Sequence, residues 1–203
     1  MVKWLRSFSA VVIAASALTA MPAQAEFRFF NFDRSGPSFT HSRPSRAQPQ
    51  PQQARISREF MRQTVPFRTS ERAGTILVDT KNHFLYLVLE NDKAIRYGIG
   101  VARSGFEWSG THRVTRKAEW PGWTPPAAMR QRQPGLPAYM PGGPNNPLGA
   151  RALYLGSTLY RIHGTVEPWS IGQNVSSGCI RMVNDDVIDL YSRVPVGAKV
   201  MVI

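Results

Sequence analysis

Residues 161–182 read RIHGTVEPWSIGQNVSSGCIRM, and the rest of the chain is organised around them. The stretch holds the only cysteine, Cys179, and one of four histidines, His163, sixteen positions earlier. A thiol attacks a carbonyl as thiolate, and an imidazole that takes its proton makes this possible near neutral pH. His163 ends an alternating apolar run (Leu153, Leu155, Leu159, Ile162), which predicts a β-strand with the histidine at its tip. Cys179 follows Ser176-Ser177-Gly178, a small-residue turn whose N–H groups, with that of Cys179, suit an oxyanion hole. A lone cysteine is more often an inert, buried small hydrophobe, and a lone histidine is more often structural. The spaced histidine, the Gly-containing approach and the unpaired thiol together outweigh those readings.

The flanks predict a mainly β, β-sandwich-like domain with a short C-terminal helix, preceded by a disordered tail. Strands are expected at 75–79, 83–89 and 94–101, the last after a turn at 90–93, and a further one near 112–117. Residues 152–155 and 158–163 read as a hairpin over a two-residue turn, Gly156-Ser157. Asn184 is read as the cap of a helix with Asp185 and Asp186 in its first turn, and Pro195 stops it. The acidic pair suits the helix dipole rather than a catalytic dyad or metal site, and residues 199–203 are a last strand. His83 and His112 fall on strand starts far from Cys179 and are read as structural.

Residues 118–149 show neither period and hold many of the 16 prolines. A segment this long without regular structure is expected to be a lid or binding loop. Its Trp120, Trp123 and Tyr139 are candidates either to line a sugar or peptide groove or to fill the core beneath. No metal-ligand cluster and no Gly-rich nucleotide loop appears, so neither metal nor organic cofactor is expected.

Residues 1–25 read as a signal peptide, with Lys3 and Arg6 ahead of a short apolar run and Ala23-Gln24-Ala25 as cleavage site. The run is too short to span a membrane, so a periplasmic protein cleaved after Ala25, without a transmembrane segment, is expected. One cysteine cannot form an internal disulfide, and an unpaired thiol in an exported protein marks a reactive group. Residues 26–72, rich in Arg, Pro and Gln, read as a disordered linker with a candidate short helix at 56–62, leaving 73–203 as the catalytic domain. The net charge is +12. An exported protein seldom meets nucleic acid, so the anionic cell envelope is the expected counterpart.

His163-Gly164-Thr165 and Ser176-Ser177-Gly178-Cys179-Ile180-Arg181-Met182 together resemble the L,D-transpeptidase catalytic domain family (YkuD type). The likeness runs from about residue 75 to the end and takes in the segments 120–126 and 141–149. Ser177 stands where that family usually has a second histidine, a position that contributes mainly its backbone, which leaves His163 as base. The resemblance implies a cysteine-dependent enzyme acting on peptidoglycan stem peptides through a thioester and forming 3→3 cross-links. It further implies Cys179 as nucleophile, His163 as base, Ser177 and Gly178 at the oxyanion, and Gly164 and Thr165 orienting the imidazole. Arg181, Trp123 and Tyr139 are the expected substrate contacts, with a salt bridge to the helix acids as the alternative for Arg181. The same acyl-enzyme would serve an L,D-carboxypeptidase, or a ligase attaching outer-membrane proteins to the wall. A non-catalytic wall-binding module is the rival from another class.

Overall fold

Ile76 and Val78 are buried on β2 (Ile76–Asp79) while Leu77 and Asp79 are half-buried, the alternation of a strand with one face on a core. The computed structural model describes residues 56–203. The expected signal peptide and the linker up to residue 55 lie outside the described residues. β2 pairs antiparallel with β3 (Phe84–Val88) and parallel with β11 (Lys199–Val202), so Ile76 sits between Leu87 and Val200. β3 turns into β4 (Lys93–Gly98) through Asn91 and Asp92, both at positive φ (59° and 51°). Asn and Asp tolerate this left-handed backbone best after glycine.

β6 (Gly110–Glu119) joins the two halves of the fold. Its first residues pair with β11 and its last with β7 (Arg151–Leu155), with a register shift between Val114 and Arg116. Such a bulge bends a strand, and here it folds one sheet over a common core. Beyond β7 come β8 (Arg161–His163) and β10 (Ile180–Arg181). β1 (Gln63–Pro66) lies on the far edge, giving the order β1-β4-β3-β2-β11-β6-β7-β8-β10. Leu85 and Tyr97 from one half meet Leu153, Leu155, Ile162 and Met182 from the other, all fully buried. Gly100 and Arg181 exchange backbone bonds of 2.9 and 2.8 Å, so the β10 edge is closed by the chain that follows β4.

The helix α2 (Asn184–Arg193) buries Val187 and Leu190 against this core and lies along β7. Lys117 Nζ donates to the carbonyls of Tyr191 (2.6 Å) and Val194 (2.8 Å), satisfying acceptors at the helix C-terminus. Asp185 and Asp186 occupy the first turn as expected.

Five expectations are corrected. Val183, not Asn184, is the N-cap of α2; Asn184 Oδ1 instead accepts the Ala150 N–H at 2.9 Å, since its side chain faces the loop before β7. The β7–β8 connection is five residues, Gly156 to Tyr160, because Thr158 Oγ1 turns back to the Leu155 carbonyl at 2.6 Å. The strand expected over 94–101 stops at Gly98. A Cβ at Gly100 would stand 2.6 Å from the Ser170 carbonyl, and the next residues, β5 (Val101–Ala102), leave to pair with β9 (Asn174–Ser176). Residues 118–149 contain a short helix, α1 (Ala127–Arg132). The last part of the expected linker is folded: a 3₁₀ turn at Arg58–Phe60 falls where a short helix is expected, and the strand β1 follows where linker is expected. β1 finds open backbone partners on β4, and Phe67 stacks on Tyr86 with centroids 4.6 Å apart.

Candidate active site

β8 and β10 run parallel with Ile162 opposite Ile180 and His163 opposite Arg181. Both isoleucines are buried in the core. Side chains alternate along a strand, so Arg161, His163, Cys179 and Arg181 share the other face. That face opens on a groove of about 510 Å³, which His163 and Cys179 both line. Strand spacing and rise place their Cα atoms about 8 Å apart on the diagonal. The parallel pairing, with the 164–178 loop returning the chain, is what makes a sixteen-residue separation in sequence a neighbourhood in space.

The imidazole is held in one tautomer. Its Nδ1 bonds the Gly164 carbonyl. A carbonyl only accepts, so Nδ1 carries the proton and Nε2 is left as an acceptor. His163 is 4% exposed. Burial pushes its pKa from 6.5 to about 3; the Gly164 carbonyl opposes this, and Arg181 and Arg161 add to it. The resting imidazole is therefore neutral at pH 7. Cys179 is half-buried, with Sγ 3.9 Å from the Leu159 carbonyl.

The turn before Cys179 is tied at both ends. Ser176 Oγ accepts the Gly178 N–H (3.1 Å) and donates to the Cys179 carbonyl (2.6 Å). The Gly178 N–H, expected at the oxyanion, is thus occupied inside the turn. Among the described residues no protein acceptor takes the N–H of Ser177 or Cys179, and these two are the donors left for an anion. Gly178 has φ +111°, and a Cβ there would stand 2.6 Å from the Tyr160 ring, so glycine is required on both counts.

Of the remaining expected residues, Gly164 orients the imidazole through its carbonyl, while Thr165 acts one step away. Thr165 Oγ1 accepts the Glu167 N–H at 3.0 Å, and Glu167 pairs with Arg181 Nη1 at 2.7 Å. Arg181 lines the groove, as does Trp123, whose backbone bridges to Met140. Tyr139 does not reach the groove; it folds over Gly122 and is 59% exposed, and Trp120 is also on the surface. His83 and His112 lie elsewhere, His83 against Asn174 and His112 edge-on to Trp108.

The groove has walls that sequence reasoning missed. Phe106, between β5 and β6, lies between the guanidinium groups of Arg103 (4.6 Å) and Arg132 of α1 (5.1 Å), so the two loops meet at the groove. Tyr160 stacks on Trp108, with centroids 4.2 Å apart and planes 2° from parallel. The available signal was a pair of aromatics, Phe106 and Trp108, in a Gly- and Ser-containing connection where hairpin turns are usually polar. Among the described residues no group of three His, Cys, Asp or Glu side chains gathers as metal ligands would.

Residues 73–202 match the family model described as YkuD, L,D-transpeptidase catalytic domain. The chain is 39% identical over 140 residues to the probable L,D-transpeptidase ErfK/SrfK of Escherichia coli K12, covering 65% of this chain and 44% of that protein. It therefore spans less than half the length of this curated relative. Among solved structures, a Brucella melitensis protein described as a probable carnitine operon oxidoreductase CaiA is 47% identical, with a TM-score of 0.50 over 73% of this chain and 96% of that one. An L,D-transpeptidase from Mycobacterium smegmatis shares the fold at 20% identity, with a TM-score of 0.50 over 64% of this chain and 58% of that one.

Proposed function

The chain belongs to the YkuD L,D-transpeptidase catalytic domain family, and from that membership we propose a cysteine acyltransferase that cross-links peptidoglycan stem peptides. One observation carries the reading: His163 Nε2, an unprotonated acceptor, shares a groove and a strand face with the only thiol of the chain.

In the proposed reaction the stem tetrapeptide lies in the groove with the carbonyl of its third residue at Cys179 Sγ. As the C–S bond forms, the thiol proton passes to His163 Nε2. The N–H groups of Ser177 and Cys179 receive the developing oxyanion; removing one such donor typically costs about 2.7–4 kcal/mol of activation free energy. His163 then returns the proton to the leaving D-Ala nitrogen, and the thioester remains. An amine from a second stem attacks it, giving a 3→3 cross-link and restoring the thiol. A neutral resting imidazole fits this cycle, because it can accept before it donates. Arg181, held by Glu167, supplies a cation at the groove wall for a stem carboxylate.

Two other acceptors use the same thioester. Water would make the protein an L,D-carboxypeptidase, and a protein amine would attach an outer-membrane protein to the wall. Incubation with a purified disaccharide-tetrapeptide, followed by product mass analysis, separates them. Cross-linked dimers with released D-Ala support the transpeptidase, tripeptide alone supports the hydrolase, and neither product from a folded protein that still binds sacculi supports a wall-binding module.

Export completes the proposal. The mature protein begins at Glu26 in the periplasm, its linker facing the anionic envelope, and N-terminal sequencing of the envelope fraction tests this. No helix among the described residues is long and apolar enough to cross a membrane.

A further inference from the structure

We propose that Trp108 is a positioning residue whose indole fixes the peptide plane between Gly178 and Cys179, so that the Cys179 N–H is presented as an oxyanion donor. The inference rests on the acyl-transfer reading above.

The Gly178 carbonyl and the Cys179 N–H belong to one planar peptide unit. No cis bond is present among the described residues, so the two groups point in opposite directions. Trp108 Nε1 donates to that carbonyl at 2.6 Å. Aiming the carbonyl at the indole therefore aims the N–H the other way. The indole lies on the far side of the turn, where Trp108 and Gly178 line a separate cavity of about 160 Å³. The opposite side is the groove, lined by Ser177 and Cys179 but not by Trp108.

A plane next to glycine needs such a lock. Gly178 sits at φ +111° without the steric limits that a Cβ imposes, so rotation of the neighbouring peptide meets little resistance. Ser176 Oγ fixes the flanking groups, the Gly178 N–H and the Cys179 carbonyl, yet touches neither end of the unit between them. Among the described residues the indole supplies the one bond to that unit. The indole itself cannot swing, being stacked flat on Tyr160 and met edge-on by His112 at 5.1 Å and 85°. Donation into the carbonyl also polarises the peptide and strengthens its N–H as a donor. Trp108 does not line the groove, so it acts through the turn and not on the substrate.

The test replaces Trp108 with 3-benzothienylalanine, which keeps the ring and exchanges the N–H for sulfur, alongside Trp108→Phe. Cys179 acylation is timed in single turnovers with the disaccharide-tetrapeptide and with p-nitrophenyl acetate, and Cys179 alkylation is timed with iodoacetamide. Alkylation is a displacement without a tetrahedral anion, so it reports the thiol and His163 alone. The expected result is acylation slowed about 10- to 100-fold in both variants, with alkylation and KM essentially unchanged. Acylation that is unchanged in the isostere, or that falls together with alkylation, overturns the proposal. If Trp108→Phe melts early, the isostere carries the test. A wild type acylated by the ester but not by the stem peptide defeats the substrate reading and leaves this comparison intact. A wild type that neither donor acylates defeats both.

Discussion

Two buried groups give the protein opposing pH dependences in overlapping windows, and separating them tests the electrostatics of the fold. His163 has its pKa lowered from 6.5 to about 3 by burial. Between those values the unfolded chain holds a proton that the folded one refuses. The His163 contribution to stability is therefore complete above 6.5 and is lost as pH falls toward 3. At about 1.4 kcal/mol per pH unit this amounts to at most about 4–5 kcal/mol. Asp186, 6% exposed, has the reverse shift. Burial raises it from 3.8 to about 6, Arg62 at 3.7 Å opposes, and Asp189 and Asp185 add to the rise. Its contribution is complete below 3.8 and lost as pH rises through 6, at most about 3 kcal/mol. In the wild type the two slopes largely cancel between pH 4 and 6. Urea unfolding at pH 4, 5 and 6, followed by tryptophan fluorescence, exposes them one at a time. His163→Gln leaves the aspartate slope, so stability falls with pH by about 2 kcal/mol across that range. Asp186→Asn leaves the histidine slope, and stability rises by a similar amount. Slopes of the same sign in the two variants, or flat profiles in both, would mean that burial of His163 and Asp186 does not set the pH dependence.

Three further substitutions probe the turn and its supports. Gly178→Ala forces a side chain to φ +111° and against the Tyr160 ring; it should cost about 1–3 kcal/mol in urea unfolding and abolish acylation. Ser176→Ala removes the bonds to the Gly178 N–H and Cys179 carbonyl; a loss of about 1–3 kcal/mol is expected, with slower acylation that Ser176→Thr restores in part. Asn184→Ala leaves the Ala150 N–H without its acceptor; thermal unfolding should show about 1–2 kcal/mol lost, with kcat for D-Ala release unchanged because Asn184 does not line the groove.

The sequence made the strands legible where one face is buried. Ile76 and Val78, Leu85 and Leu87, and Ile162 beside His163 all show the alternation that a half-buried strand requires. The helix was legible through Val187 and Leu190 at helical spacing. Its cap was not, because Asn184 has two uses, and the loop before β7 claims its side chain. β1 was missed for a related reason. Gln63 to Pro66 carries little apolar content, and its order comes from open backbone groups on β4, a partner that local composition does not reveal. At the site, spacing and chemistry pointed to His163, Cys179 and the small-residue turn. The allocation of N–H groups within that turn depended on one rotamer, with Ser176 Oγ reaching forward to accept the Gly178 N–H. Trp108 lies seventy residues from Gly178 in sequence, and only the folded sheet brings its indole to the turn. Tyr139 shows the converse, an aromatic in the right loop that the fold turns to the surface.

Whether Cys179 carries the acyl group is decided by intact-mass spectrometry of the protein mixed with a purified disaccharide-tetrapeptide. The wild type should gain a mass equal to the donor less D-Ala, with free D-Ala in solution, and Cys179→Ala should show neither. A folded wild type that gains no mass and releases no D-Ala, or an adduct that persists on Cys179→Ala, would contradict that role for Cys179.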